Sequence, residues 1–292
     1  MDRLQGVGQE ELLPVIESVI QTKQRVKEHW ESEVCGSRYG AEAASDRRKF
    51  FEQIDRTRYE LEPQLEEFAE FEKARGKRVL EVGLGTGADF SRWVRAGAIA
   101  SGRDLTEASV NLVRERLELS CLEANVAVGD AEDLREFPDN SFDIFYSWGV
   151  LHHTPDPERA FAEAFRVLKP GGQLKVMLYH YPSAGALLVW LVHGPLRLRW
   201  QGPRQSVAEH YESPGTKMYT TGEARALVGK FFHKHAIEIR LYLGAGDLLT
   251  HRFSARYAGR KWELARALYP RWFVKHVLGA RAGTGMMIST IK

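Results

Sequence analysis

Glu81, Asp104 and Asp130 are three carboxylates at the ends of three short apolar runs, and glycines follow the first of them at positions 83, 85 and 87. A strand that ends in such a turn lets backbone come within contact distance of a ligand, because glycine has no Cβ and tolerates φ > 0. A carboxylate closing the second run can accept both hydroxyls of a ribose, and one closing the third can take the proton of an adenine amino group. Gly83-Leu84-Gly85-Thr86-Gly87-Ala88 also satisfies the permissive dinucleotide form, which alone discriminates little. Charge discriminates better: the turn holds no Lys or Arg to meet a phosphate, and Glu81 precedes it. The set suits an adenosine-bearing cofactor that is cationic and carries no phosphate. Farther on, His152 and His153 follow the fourth apolar run. Histidine titrates near neutrality, so the pair is a candidate proton acceptor.

These residues need elements to hold them. The spacing predicts strands over 78–82, 99–105, 126–129, 142–148 and 173–178, with helices over 89–96, 107–119 and 156–168 between them. Such β-α-β-α alternation demands right-handed crossovers and a parallel sheet, hence a doubly wound α/β core. Residues 1–75 read as helical, with Leu12, Val15, Ile16 and Val19 and later Phe50, Phe51 and Ile54 at helical spacing. Lys169-Pro170-Gly171-Gly172 reads as a helix stop and turn. Beyond it, 221–232 reads as a helix behind a Thr cap, and 236–243 and 286–291 have strand character.

VLEVGLGTG, GRDLTEASV, VGDAEDLREFPDNSFDIFYSWGVLHHTPD and RVLKPGGQLKVMLYH, in that order over residues 77–182, resemble the class I S-adenosylmethionine-dependent methyltransferases, in particular the small-molecule group. The resemblance implies a Rossmann-like doubly wound sheet of seven strands with an antiparallel last strand. It divides the chain into an N-terminal helical extension or lid (1–75), a cofactor-binding core (76–182), a cap insertion (183–220), and the rest of the sheet (221–292) with a helical insertion at about 245–282. Carried over by position, Glu81 lies near the methionine end of S-adenosyl-L-methionine, and Gly83, Gly85 and Gly87 approach its methionine and ribose. Asp104 with Leu105 holds the ribose hydroxyls, and Asp130 with Ala131 receives the adenine. Ser147 and Trp148 flank the sulfonium, and S-adenosyl-L-homocysteine is the product. His152 and His153 stand where related natural-product O-methyltransferases use a histidine as base. Tyr179, His180 and Tyr181 are second candidates for shaping the acceptor pocket. No metal is expected. Relatives that methylate nucleic-acid bases carry an Asn-Pro-Pro-Tyr type sequence where this chain has Ser147-Trp148-Gly149-Val150, so nucleic acid is not the expected partner.

Composition sets the wider frame. The chain has 292 residues, 43% hydrophobic and 27% charged, ordinary for a globular protein. Two distant cysteines, Cys35 and Cys121, predict free thiols. Acids interrupt the first twenty residues where a secretory leader needs a basic start and an apolar run, so a cytoplasmic location is expected. From Gly171 onward 18 Lys and Arg face 6 Asp and Glu, against 23 and 33 before it. That asymmetry bears on partners: a small-molecule acceptor of anionic or aromatic character, or an acidic membrane surface touched peripherally by the apolar stretch 185–200. RNA methylation and a non-catalytic cofactor-binding module are the alternatives. The acceptor is expected to be a small or amphipathic natural product, quinone or lipid-like molecule, enclosed by the aromatic residues of the additions, among them Trp30, Tyr39, Phe253, Tyr257 and Trp262.

Overall fold

Each predicted apolar run becomes a strand: β1 (Arg78–Val82), β2 (Ile99–Asp104), β3 (Asn125–Val128), β4 (Phe142–Trp148), β5 (Leu168–Tyr179), β6 (Glu238–Tyr242) and β7 (Gly285–Ile291). They form one sheet in the order β3-β2-β1-β4-β5-β7-β6. The first five run parallel, and β7 lies antiparallel between β5 and β6. The computed structural model describes residues 9–244, 246–250 and 260–292. Phe253 and Tyr257 therefore lie outside the described residues, as does the side chain of Trp262.

Strand periodicity of two divides the core. Leu80 and Val82 pack on one face with Phe145, Phe161, Val176 and Ile288, whereas Val79 packs on the other with Trp93, Val113, Ile144 and Met287. The crossovers are helical: α1 (Gln9–Ser32), α2 (Arg47–Leu61) and α3 (Gln64–Ala69) precede the sheet, and α4 (Ala88–Arg95), α5 (Glu107–Leu119) and α6 (Pro157–Val167) connect its parallel strands. Thr106 and Asp156 cap α5 and α6 by accepting from the N–H groups of Ser109 and Arg159. Strand order reverses between β1 and β4, so a crevice opens beyond their carboxyl ends. After β5 come α7 (Ala184–His193), α8 (Pro203–His210) and α9 (Thr221–Val228), of which α9 packs Ala224 and Val228 on the face of the sheet that holds Phe161, and after β6 come α10 (Arg260–Leu268) and short helical turns up to Ala282.

Three expectations change. Lys169–Gly172 falls within β5 but turns there as a bulge: its four residues stand opposite Asp143 alone, between the pairs Phe142–Leu168 and Ile144–Gln173, Gly171 has φ +78°, and the Gly171 N–H donates to the Lys292 carbonyl at 2.9 Å. A register shift between Phe142 and Ile144 accommodates it on the other side. The helix from 221 ends at Val228, because Gly229 closes it. The apolar stretch 185–200 is two things: α7 buries Ala186 and Val189 with Val207 and Met218 nearby, while the tip beyond Gly194 projects outward. Among the described residues no helix is long and apolar enough to cross a membrane.

Candidate active site

The crevice encloses a cavity of about 310 Å³. Of the residues singled out in the sequence, Glu81, Gly83, Gly85, Asp104, Leu105, Asp130, Ala131, Trp148 and His153 line it. Gly87, Ser147 and His152 do not. Gly87 caps α4 in a left-handed conformation, and a Cβ there would lie 2.7 Å from Val113 Cγ2. The Ser147 hydroxyl donates to the Val82 carbonyl at 2.9 Å and ties β4 to β1 beneath the site. His152 is fully buried, with neither ring nitrogen hydrogen-bonded, and burial pushes it well below the usual histidine range. It stays neutral and packs its ring against Tyr179 at 3.9 Å. Of the second candidates only Tyr179 reaches the cavity, since His180 Nδ1 is held by the Gly283 carbonyl at 3.0 Å.

Gly83 shows what the turn requires. Its φ is +83°, and a Cβ would lie 2.1 Å from Val150 Cγ2, so backbone freedom and contact with the β4 loop both demand glycine. Gly83→Ala is expected to lower stability by about 2–4 kcal/mol from strain plus overpacking, measured by chemical denaturation. Gly171→Ala, at φ +78° with nothing near its Cβ, should cost about 1 kcal/mol; equal losses in the two variants would refute the packing account.

Asp104 does more than face the cavity. Its Oδ2 accepts from the N–H groups of Leu84 (2.8 Å) and Gly85 (3.2 Å), and its Oδ1 from the N–H (3.0 Å) and hydroxyl (2.7 Å) of Thr106. It thereby pins the glycine turn to the end of β2. Glu81, 3% exposed, has one carboxylate oxygen with no hydrogen-bond donor. Burial, reinforced by the charge of Asp89, pushes its carboxyl well above the usual range.

Several site residues come from elements whose contribution no local motif announces. Arg58 of α2 makes a two-pronged ion pair with Asp89 (2.8 and 2.5 Å) and lies 3.5 Å from Glu62, while Tyr59 and Tyr146 donate to the same Asp89. Lys23 of α1 donates to Asp130 (2.6 Å) and Glu132 (2.5 Å). Burial opposes its charge, but the two carboxylates outweigh it and raise its pKa. Two turns on, Glu31 accepts from the N–H groups of Glu107 and Ala108, at the positive end of α5. Helix α1 is thus fastened across the crevice at both ends of its second half. The cations Lys23 and Arg58 are both paired, while Glu62, Glu81, Glu212 and Asp247 add carboxylates to the cavity wall. Carboxyl groups outnumber cations along this lining. The basic surplus lies outside, for example at the exposed Arg197 and Arg199.

A family model described as a methyltransferase domain matches residues 80–176. Those residues run from the strand bearing Glu81 through the loop bearing His153 and into β5. They are a class I, S-adenosylmethionine-dependent methyltransferase domain. Among curated relatives, the ubiquinone/menaquinone biosynthesis C-methyltransferase of Dinoroseobacter shibae is 42% identical over 115 residues, covering 37% of this chain and 45% of that protein. A ubiquinone biosynthesis O-methyltransferase of Coxiella burnetii is 34% identical over 100 residues, covering 34% and 42%. The matched stretch spans less than half the length of either relative. The solved structure of the [4+2]-cyclase SpnF shares the fold, with TM-score 0.51 at 20% identity over 82% of this chain and 81% of that one.

The methyltransferase domain's cofactor fits the residues present. A buried carboxylate oxygen without a donor, at Glu81, awaits a cationic donor such as the methionine ammonium. Asp104 and Asp130 both line the cavity, where they would meet the ribose hydroxyls and the adenine, and Asp130 is already bridged by Lys23.

The acceptor side is built by residues outside the motifs. His153, 4% exposed, places Nδ1 2.8 Å from the Ser213 hydroxyl and 3.1 Å from that of Thr216. The Thr216 hydroxyl donates its proton to the Ser213 carbonyl at 2.7 Å, while the nearer Ser213 hydroxyl can donate to Nδ1 and so leave the ring hydrogen on Nε2, towards Glu212. Nε2 lies 3.3 Å from Glu212 Oε2 and faces the carboxylate. Tyr179 donates its hydroxyl to the same oxygen at 2.8 Å. Burial works against the Glu212 charge, but His153 and Tyr179 more than offset it and hold its carboxyl below the usual range. An imidazole paired with a carboxylate therefore stands at the cavity wall. Trp30, which packs its ring on His153 at 5.4 Å, and Tyr39, Trp148 and Tyr242 complete an aromatic lining.

Proposed function

We propose that the chain is an S-adenosylmethionine-dependent methyltransferase whose acceptor is a small, neutral, aromatic or amphipathic molecule with an ionisable hydroxyl or acidic carbon, of the natural-product, quinone or lipid-like class. When bound, the cofactor supplies a methyl group on a sulfonium, ready for in-line displacement. The observation that carries the reading is the imidazole–carboxylate pair of His153 Nε2 and Glu212 Oε2, 3.3 Å apart, in the same cavity as Glu81 and Asp104. A hydroxyl or activated carbon must lose a proton as it gains a methyl, and the pair is placed to take that proton. The aromatic lining excludes water and holds a flat acceptor in register. Two quinone-pathway methyltransferases among the relatives support this acceptor class. The carboxylate-rich wall speaks against RNA and against carboxylate or phosphate acceptors.

The test is release of S-adenosylhomocysteine across a panel of hydroquinones, phenols, amines and anionic aromatics. Turnover confined to hydroquinones or phenols supports the proposal; a preference for anionic aromatics overturns the acceptor class, and cofactor binding without turnover on any compound would indicate a binding module. The donor atoms of His152, His153 and Glu212 lie within 4.8 Å of one another, a spacing a divalent cation would also accept. A proton-accepting pair predicts turnover unchanged after dialysis against a chelator, whereas loss restored by metal would assign these residues to a cation instead.

A further inference from the structure

Beyond Gly194 the chain forms a short 3-10 turn, Pro195–Arg197, and then a tip at which Leu196, Leu198 and Trp200 are 69%, 84% and 92% exposed. Leu198 adopts φ +57°, a left-handed conformation that a branched side chain rarely takes. The tip is also held from within: Arg199 N–H and Arg197 N–H both donate to the Gly194 carbonyl, and Trp190 Nε1 donates to the Gln201 carbonyl. The large apolar side chains are thus displayed by a hydrogen-bonded scaffold. Between them stand Arg197 and Arg199, both exposed and without an ion pair among the described residues. No acid occurs in the sequence between Tyr181 and Glu209.

A second segment has the same chemistry. Leu264, Leu268 and Trp272 are 61%, 74% and 69% exposed, Phe273 and Val277 follow at 47% and 55%, and Lys275 and Arg281 are exposed beside them. Glu263 is the sole acid between Leu248 and the last residue of the sequence. Both segments are rooted at one junction on the cavity wall, where Asp247 accepts from the N–H groups of Gly185, at the start of α7, and Thr284, at the end of the second segment.

We propose that the tip 195–200, supported by the apolar and basic segment 264–281, seats on an anionic lipid bilayer. Tryptophan and leucine displayed at a tip enter the interface between headgroup and acyl chain, and arginines beside them meet lipid phosphates. A protein surface partner would have to be acidic and apolar at once, and a second copy of this chain would bring arginine against arginine. The charge pattern therefore favours lipid. A bilayer also holds apolar acceptors at the junction from which the cavity opens, although the docking itself does not depend on the proposed chemistry.

The test is sedimentation of the full chain with phosphatidylcholine vesicles with and without phosphatidylglycerol. Binding is expected on the anionic vesicles alone and should weaken with salt. Leu198→Ser with Trp200→Ser should lower the partition at least about tenfold, and Arg197→Gln with Arg199→Gln should lower it about fivefold per charge on anionic vesicles. Melting temperature and S-adenosylhomocysteine affinity should be unchanged in both, which separates docking from cavity function. Failure to bind anionic vesicles at low salt, or undiminished binding by the Leu198/Trp200 variant, overturns the proposal. Self-association abolished by that variant in the absence of lipid binding would likewise overturn it and assign the tip to a contact between copies.

Discussion

Glu81→Gln is expected to weaken binding of S-adenosylmethionine about ten- to a hundredfold, the worth of one hydrogen bond to a charged group, while leaving the ligand-free protein no less stable. The argument rests on the oxygen that lacks a donor. In the ligand-free protein Glu81 is buried beside Asp89 without a cation of its own, since Arg58 is already engaged by Asp89 in two hydrogen bonds. Its carboxyl is accordingly pushed well above the ordinary 4.5, first by burial and then by Asp89. A group whose folded pKa is raised contributes stability that is complete below its unfolded pKa and is lost as pH rises through the folded value. Above that range Glu81 is a liability to the fold, and glutamine removes it. A cationic ligand reverses the sign, because it favours the ionised carboxylate. Binding should therefore release a proton, and affinity should rise with pH over the range, above 4.5, in which the free carboxyl titrates. Calorimetry in buffers of different ionisation enthalpy reads the proton directly. Affinity independent of pH in the wild type, or a Glu81→Gln variant that binds normally, would remove Glu81 from the cofactor site.

The parts of the site written locally in the chain were readable from it, and the parts brought in by packing were not. Glu81, Asp104 and Asp130 each end a strand of the parallel sheet, so strand periodicity alone carries them to one rim. Gly87, Ser147 and His152 lie within the same motifs yet face inward, since neighbours in sequence alternate between the crevice and the core beneath it; His152 and His153 show this within two residues. Arg58, Lys23, Glu31 and Glu212 had no motif to announce them. Lys23 meets Asp130 across 107 positions of sequence, and one exposed-looking lysine on an amphipathic helix cannot be told from its neighbours. Charge misled in a similar way. The basic excess after Gly171 is real, but the sheet and caps turn it outward and leave the cavity to carboxylates. For the fold, the alternation of apolar runs sufficed through β5 and also placed β6 and β7. It could not show that β5 would carry the turn at Lys169–Gly172 as a bulge, because that depends on the Lys292 carbonyl reaching Gly171.

Removing either member of the facing pair should slow methyl transfer by about a hundred- to ten-thousandfold, the usual range for a lost proton acceptor. His153→Ala and Glu212→Gln are therefore expected to lower kcat in this range while changing S-adenosylhomocysteine affinity no more than a few-fold, because neither residue lies beside Glu81 or Asp104 in the chain's scaffold. The pH profile distinguishes a proton acceptor from a structural prop. Burial opposes the Glu212 charge, yet His153 and Tyr179 keep its carboxyl below the ordinary 4.5, so Glu212 stays ionised through the neutral range and its contribution is lost only on acidification below that value. Tyr179→Phe deletes the hydroxyl that donates to Oε2 at 2.8 Å. It should move the acid limb upward while retaining most of the plateau rate. A structural prop would behave otherwise: the variants would lose stability in proportion to rate, and the limb would not move. Ser213 and Thr216, whose hydroxyls lie 2.8 and 3.1 Å from Nδ1, fix the orientation of the ring towards Glu212. If kcat and its pH profile survive both His153→Ala and Glu212→Gln, the acceptor's proton leaves without help from this wall, and alignment by the aromatic lining alone would account for catalysis.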